Sequence, residues 1–349
     1  MMKHILFCGG GSAGHVTPNL AVMNELKYTY RLSYVGTGGI ERTLVEQAGY
    51  PFFQIDCPKL IRSVTLKNLT IPFALRSALK EALALLERER PDVVFSKGGY
   101  ASFPPVWAAH RLHIPVYTHE SDLSPGLCTK LIAKKCESVF TSFPETASLF
   151  PNGKYVGSPM KRELFRGDRL RAMHKYSFSP DKPILLVLGG GSGSRTLNEC
   201  VRSRLKTLLK RFQILHLCGK GNALADPPKG YVQREFEGDM ASAYAVSDLV
   251  LCRAGSNTVF EVLALKKPAL FVPLERGSRG DQLQNALYFQ KRGLCRMLRE
   301  GELDRLEQEI DALYRDNGLR AMLQTSDVKN ATPVILATLK ACAAERSGR

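Results

Sequence analysis

The chain reads as an α/β protein built of two Rossmann-like, doubly wound domains, and three observations carry that reading. Strand-like apolar runs alternate with helical patterns, which is the pattern of parallel sheets covered on both faces. Two glycine-rich turns, Gly9-Gly10-Gly11-Ser12-Ala13-Gly14 and Gly189-Gly190-Gly191-Ser192-Gly193-Ser194, lie 180 residues apart after equivalent first strands. The length, 349 residues, exceeds what one hydrophobic core normally organises.

The elements follow in order. A strand, His4 to Cys8, enters the first glycine turn, and a helix runs from Pro18 with Leu20, Ala21, Met23 and Leu26 at helical spacing. Thr17 and Pro18 suit an N-cap and a first helical position. Next come a strand Leu32 to Gly36, a helix from Glu41, a strand Phe52 to Asp56, and a helix Phe73 to Arg90 stopped by Pro91. A strand Val93 to Ser96, a helix near Val106 to Arg111 and a strand Pro115 to His119 complete the first series. After Pro159 the series restarts: strand Ile184 to Leu188, glycine turn, helix Leu197 to Arg211, strand Gln213 to Cys218, then units through Leu249 to Cys252 and Ala269 to Pro273. The domains divide at 1–160 and 161–332, and the last helical stretch, Pro333 to Glu345, can pack on either. Ligands of doubly wound sheets bind beyond the carboxyl ends of the strands, so two such domains facing each other would enclose a cleft lined by these turns.

The formal charge of +16 draws the chain toward an anionic partner: nucleic acid, lipid surface or phosphorylated substrate. No nucleic-acid recognition module is evident. The nine cysteines are widely spaced with no CxxC pair, which reads as reduced, mostly buried thiol and not as a disulfide or zinc framework. Ile5 to Cys8 is too short for the apolar core of an export signal, so cytosolic residence is expected. No run reaches the ~20 apolar residues of a spanning helix, so any membrane contact is peripheral.

Gly9-x-Gly11-x-x-Gly14 fits a dinucleotide fingerprint, but the second strand ends Tyr34-Val35-Gly36-Thr37-Gly38 with no carboxylate for a ribose, which disfavours a redox dinucleotide. His15 follows instead, an imidazole at a strand's carboxyl end, suited to general base work near neutral pH. Gly255-Ser256-Asn257-Thr258 opens a helix whose N–H groups suit a diphosphate. No Asp-x-Asp pair suited to a divalent ion occurs.

Taken together, Gly9 to Pro18, Gly36-Thr37, Gly98-Gly99-Tyr100-Ala101-Ser102-Phe103-Pro104, His119-Glu120, Cys252-Arg253-Ala254-Gly255-Ser256-Asn257-Thr258-Val259-Phe260-Glu261 and Gly280-Asp281-Gln282 to Asn285-Ala286 resemble the ordered motif series of the MurG family. The resemblance runs from about residue 4 to about residue 295. It implies the two-domain GT-B architecture and inverting transfer of N-acetylglucosamine from UDP-N-acetylglucosamine to an undecaprenyl-diphospho-linked N-acetylmuramoyl-pentapeptide in peptidoglycan synthesis. The first domain would carry the acceptor and an anionic membrane surface at the cytoplasmic face, and the second the UDP-sugar. No cofactor is implied, metal stimulation and oligomeric state stay open, and nucleic acid is not an expected partner.

The resemblance assigns the base to His15, with Glu120 as its rival, and substrate contacts to Ser12, Ala13, Gly14, Asp122 and Lys161 in the first domain. In the second it assigns them to Ser192, Glu237, Ser256, Asn257, Thr258, Glu261, Asp281 and Gln282, with Glu261 on the ribose and Glu237, after Phe236, at the uracil position. Two local readings compete. Thr258-x-x-Glu261 also fits a capping box, and Ser278-x-x-Asp281 also fits a polar helix start. The chain departs from the family pattern at Ser121-Asp122, where Gln-Asn is usual, and at Ser158-Pro159-Met160-Lys161, where an ammonium replaces a guanidinium although Arg162 follows. Residues 57–80 hold Lys59, Arg62, Lys67, Arg76 and Lys80 without Asp or Glu, among Leu60, Ile61, Val64, Leu66, Leu69, Ile71 and Phe73. This mixture suits an anionic leaflet; a core-facing helix buried through Leu75, Leu79 and Leu83 is the alternative. Another UDP-sugar enzyme on the same scaffold, such as a lipid glycosyltransferase or a UDP-N-acetylglucosamine 2-epimerase, and a non-enzymatic nucleotide-binding regulator are the competing functions.

Overall fold

A computed structural model of the chain describes residues 2–59, 71–191, 193–275 and 280–345. It divides into two compact units, Met1–Lys161 with Lys329–Arg349, and Arg162–Val328. The first unit holds seven strands: β1 (His4–Cys8), β2 (Arg31–Gly36), β3 (Phe52–Gln54), β4 (Val93–Ser96), β5 (Val116–Glu120), β6 (Ser138–Thr141) and β7 (Gly153–Tyr155). Their spatial order is β3-β2-β1-β4-β5-β6-β7, parallel throughout. In the second unit β8 (Ile184–Leu188), β9 (Gln213–Leu217), β10 (Tyr231–Arg234), β11 (Leu249–Cys252), β12 (Ala269–Phe271) and β13 (Arg296–Met297) form a parallel sheet ordered β10-β9-β8-β11-β12-β13. Both are doubly wound.

Every residue of β1 and β8 is buried, as the continuous apolar runs of central parallel strands require. Alternation along β1 sends Ile5 and Phe7 into one core layer and Leu6 and Cys8 into the other. The C-terminal helix Thr332–Glu345 buries Ile335, Leu339 and Ala343 in the first of these layers. Backbone bonds tie its approach to the end of the first unit's chain, with Ala331 N–H donating to Ser158 O at 2.9 Å. Met160 N–H lies 3.1 Å from both Asn330 Oδ1 and Thr332 Oγ1.

Several boundaries differ from the sequence reading. The first helix is Ala13–Leu26, entered from extended Ser12, so Thr17 and Pro18 lie inside it. The Thr17 hydroxyl donates to Ala13 O at 2.7 Å instead of capping, and Pro18, without an N–H, donates no helical bond to the Gly14 carbonyl. The stretch after the second glycine turn begins at Arg195 under a Ser194 cap and breaks into Arg195–Ser203 and Leu205–Leu208. In the long helix Ile71–Glu89 the buried stripe is Ala78, Ala82, Leu85 and Leu86, while Leu75, Leu79 and Leu83 are half-buried flanks. The alanines admit the close approach of the neighbouring helix Phe103–Arg111. Strands β6, β7, β10 and β13 are absent from the sequence reading; β7, β10 and β13 are short edge strands that pairing with a neighbour defines better than any apolar run.

Candidate active site

In each sheet the strand order reverses beside the first strand, between β1 and β4 and between β8 and β11. A crevice opens at such a reversal, at the carboxyl ends of the strands. Each glycine turn therefore leaves its sheet where a ligand is expected.

In the first unit His15 lies in the opening turn of the Ala13–Leu26 helix, half-buried. Its Nδ1 is 3.0 Å from Gly10 O and 3.1 Å from Ser12 Oγ. A carbonyl oxygen only accepts, so Nδ1 carries the proton and Nε2 the basic lone pair. The arrangement needs glycine at 99, where φ is +79° and a Cβ would stand 2.2 Å from Gly10 O and 3.0 Å from His15 Nδ1. Thus the loop after β4 supports the turn after β1. Ser12, Ala13 and Gly14 lie along that turn's edge, Ser12 and Gly14 exposed.

The carboxylate that β2 lacks at its own end is supplied by Glu41, which stands outside the motif series. In the structure it is fully buried and folds back on the turn, accepting from Gly11 N–H at 3.4 Å, Thr37 N–H at 3.0 Å and Thr37 Oγ1 at 2.7 Å. Burial works against its anion. The hydrogen bonds from the Thr37 hydroxyl and from backbone N–H groups outweigh it and hold its pKa below the ordinary carboxylate value.

Glu120, the rival base, ends β5 and is buried. It accepts from Asp122 N–H at 3.1 Å, Gly126 N–H at 3.0 Å and Thr129 Oγ1 at 2.6 Å, which makes it the organiser of the following loop. Asp122 is partly exposed on that loop. Lys161 is half-buried at the last position of the first unit's opening segment.

In the second unit Ser194 caps the helix after the glycine turn, accepting from Leu197 N–H at 3.4 Å. Gly193, at φ +78°, approaches β9 so closely that a Cβ would be 2.2 Å from Cys218 O. Ser192 lies outside the described residues. Arg253, within the Cys252–Glu261 motif, is buried behind this turn. Its Nε donates to Ser194 Oγ at 3.1 Å, and its other nitrogens reach Val272 O at 3.2 Å, Pro273 O at 3.4 Å and Glu300 Oε1 at 2.6 Å.

The helix Ser256–Ala264 starts directly after β11 from extended Gly255, with Ser256, Asn257 and Thr258 in its first turn. A helix's first-turn N–H groups have no carbonyl one turn back, so they favour an anion. Because the helix begins at Ser256, Thr258-x-x-Glu261 lies within it and is not a capping box. Glu261 Oε2 instead accepts from the Tyr244 hydroxyl at 3.0 Å. Burial, and then the Glu261 charge, push the Tyr244 pKa well up, so the phenol stays protonated as donor. Glu237 accepts from Tyr176 Oη at 2.8 Å, Asp239 N–H at 2.9 Å and Lys175 Nζ at 3.1 Å. Its carboxylate is thus taken up by protein donors. Asp281 opens the helix Asp281–Gln290, entered from Gly280 at φ +81°, and Ser278 lies outside the described residues. Gln282 Oε1 accepts from Leu274 N–H at 2.9 Å, which orients its amide.

These half-sites have close relatives. Residues 5–141 match the glycosyltransferase family 28 N-terminal domain and residues 184–336 the family's C-terminal domain. A UDP-N-acetylglucosamine–N-acetylmuramyl-(pentapeptide) pyrophosphoryl-undecaprenol N-acetylglucosamine transferase of Shouchella clausii is 44% identical over 96% of this chain and 97% of its own length. The protein of the same name from Lachnospira eligens is 45% identical over 90% of this chain and 92% of its own length. Among solved structures, MurG of Acinetobacter baumannii superposes with a TM-score of 0.75 at 28% identity, covering 97% of this chain and 99% of that one. The calicheamicin glycosyltransferase CalG4, at 16% identity, 98% coverage of both chains and a TM-score of 0.71, shares the fold. The fold is therefore GT-B, and the chain belongs to the MurG family of N-acetylglucosaminyltransferases.

Proposed function

We propose that this chain transfers N-acetylglucosamine from UDP-N-acetylglucosamine to the C4 hydroxyl of undecaprenyl-diphospho-N-acetylmuramoyl-pentapeptide, converting lipid I to lipid II in peptidoglycan synthesis. The observation that carries this is the near full-length identity to transferases of that name, which favours neither the epimerase nor the regulator reading. Inversion needs a base on the acceptor and a stabilised leaving diphosphate. In our reading His15 Nε2 takes the hydroxyl proton as the acceptor oxygen bonds to C1. The C1–O bond to the diphosphate breaks, and its electron pair leaves with UDP. The Gly10 carbonyl on Nδ1 supports the imidazolium that forms. Glu120, with three protein donors on its carboxylate, organises the acceptor loop. The first turn of the Ser256–Ala264 helix receives the diphosphate, Glu261 the ribose, and Asp281 and Gln282 the transferred sugar.

The test is turnover of UDP-N-acetylglucosamine with a soluble lipid I analogue. Disaccharide product with stoichiometric UDP is expected; UDP release without disaccharide, or epimerised donor, would reject the assignment.

Membrane association at the cytoplasmic face belongs to the same reading. Among the described residues no helix is long and apolar enough to cross a membrane. Residues 60–70 of the basic segment lie outside the described residues. Beside them Phe73 is 78% exposed, and Arg76 and Lys80 are exposed on the same helix. Binding to anionic vesicles that weakens as salt screens the charge is expected. Salt-insensitive binding, or none, would remove the basic segment from the account.

A further inference from the structure

One buried cation in the first half-site has no part in the mechanism above. Lys97 follows β4, is 2% exposed, and immediately precedes Gly98 and Gly99. Its backbone N–H donates to Cys8 O at 2.9 Å, at the point where β1 gives way to the His15 turn. Its ammonium donates to Ser121 Oγ, between Glu120 and Asp122 in sequence. Burial draws the Lys97 pKa down to about 8, opposed by the charges of Glu120 and then Asp122. Next to it His119 is fully buried, with Nε2 on Gly157 O at 2.8 Å and Nδ1 without a partner. Burial first, and then the Lys97 charge, keep that imidazole neutral. The cluster therefore holds one cation against two carboxylates.

We propose that Lys97 is a positioning residue for the acceptor. Its ammonium is the counter-charge that holds the Glu120–Asp122 turn in its binding shape and fixes the Gly98–Gly99 loop against His15. The inference rests on the transferase reading above. An uncompensated buried charge is costly, whereas a pair neutralised together is not. Without Lys97 two carboxylates stand together; changing Asp122 to an amide as well returns the cluster to its original net charge.

The test is a double-mutant cycle of Lys97→Met, Asp122→Asn and the combined variant, read as kcat and KM for donor and acceptor separately. Lys97→Met should lower kcat/KM for the acceptor analogue about tenfold or more with donor KM unchanged, and adding Asp122→Asn should recover most of that loss. Unchanged acceptor kinetics in Lys97→Met, equal losses for both substrates, or additive losses in the combined variant would overturn the proposal. If Lys97→Met fails to fold, the combined variant should fold, and one that stays unfolded also overturns it. Should the wild type form no disaccharide, the transferase reading fails. The counter-charge is then judged by the coupling between the two substitutions in thermal unfolding, and zero coupling rejects it.

Discussion

The two glycine turns leave equivalent strands of two similarly wound sheets, yet protein groups of opposite charge brace them. In the first, the Glu41 carboxylate accepts the turn's own Gly11 N–H. In the second, the Arg253 guanidinium donates to Ser194, the residue that caps the next helix. A carboxylate on a turn's N–H group occupies one donor that an anion could otherwise engage and adds negative charge beside it. A guanidinium behind the turn does neither. The same backbone motif thus carries a carboxylate brace beside His15 in one unit and a guanidinium brace at a helix cap in the other. The comparison teaches that a glycine pattern specifies a backbone path, and that the side chain bracing it decides the chemistry.

Four substitutions test this contrast. The largest effect is expected for His15→Ala, which should reduce kcat about 10²- to 10⁴-fold, the usual weight of a general base, while UDP affinity measured by calorimetry stays the same. Comparable kcat in the two proteins would remove the base from the first turn. Arg253→Met should destabilise the second unit by about 3 kcal/mol in denaturant unfolding and raise donor KM, because Glu300 and the carbonyls of residues 272 and 273 lose their buried donor. A neutral outcome would mean the turn stands unaided. Glu261→Ala should weaken UDP binding roughly 10-fold or more, the worth of charge-assisted hydrogen bonds, with a smaller change in kcat. If affinity is retained, the ribose is held elsewhere.

The smallest effect belongs to Glu41→Gln, about 1 kcal/mol of stability at neutral pH. Because the folded pKa of Glu41 lies below the ordinary 4.5, its contribution is complete above that value and is lost as pH falls through the folded one. The acid limb of unfolding should therefore be shallower in the glutamine variant. An identical limb would show that the carboxylate does not brace the turn.

Much of this was legible in the chain. The runs Ile184–Leu188 and Leu249–Cys252 are strands with the limits their apolar sequences suggest, because a central parallel strand must be apolar on both faces. His15 stands in the first turn of the helix after β1, and Glu261 in the second turn of the helix after β11. Glu120 needed the fold: its three partners lie at positions 122, 126 and 129, and only the loop's path brings them to one carboxylate. Glu41 was hidden because β2 itself ends without an acid, and the residue that supplies one comes four positions after Thr37.

By itself the sequence determined two doubly wound units, the turns that follow their first strands and the family to which they belong. These rest on local quantities: apolar runs, glycines where backbones must pass closely, and motif order. Tertiary structure alone decided which charge braces which turn. Glu41 meets Gly11 across 30 positions, Lys97 meets Ser121 across 24, and Arg253 meets Ser194 across 59. Electrostatic pairing depends on distance in space, and a parallel sheet brings the carboxyl ends of strands far apart in the chain to one edge.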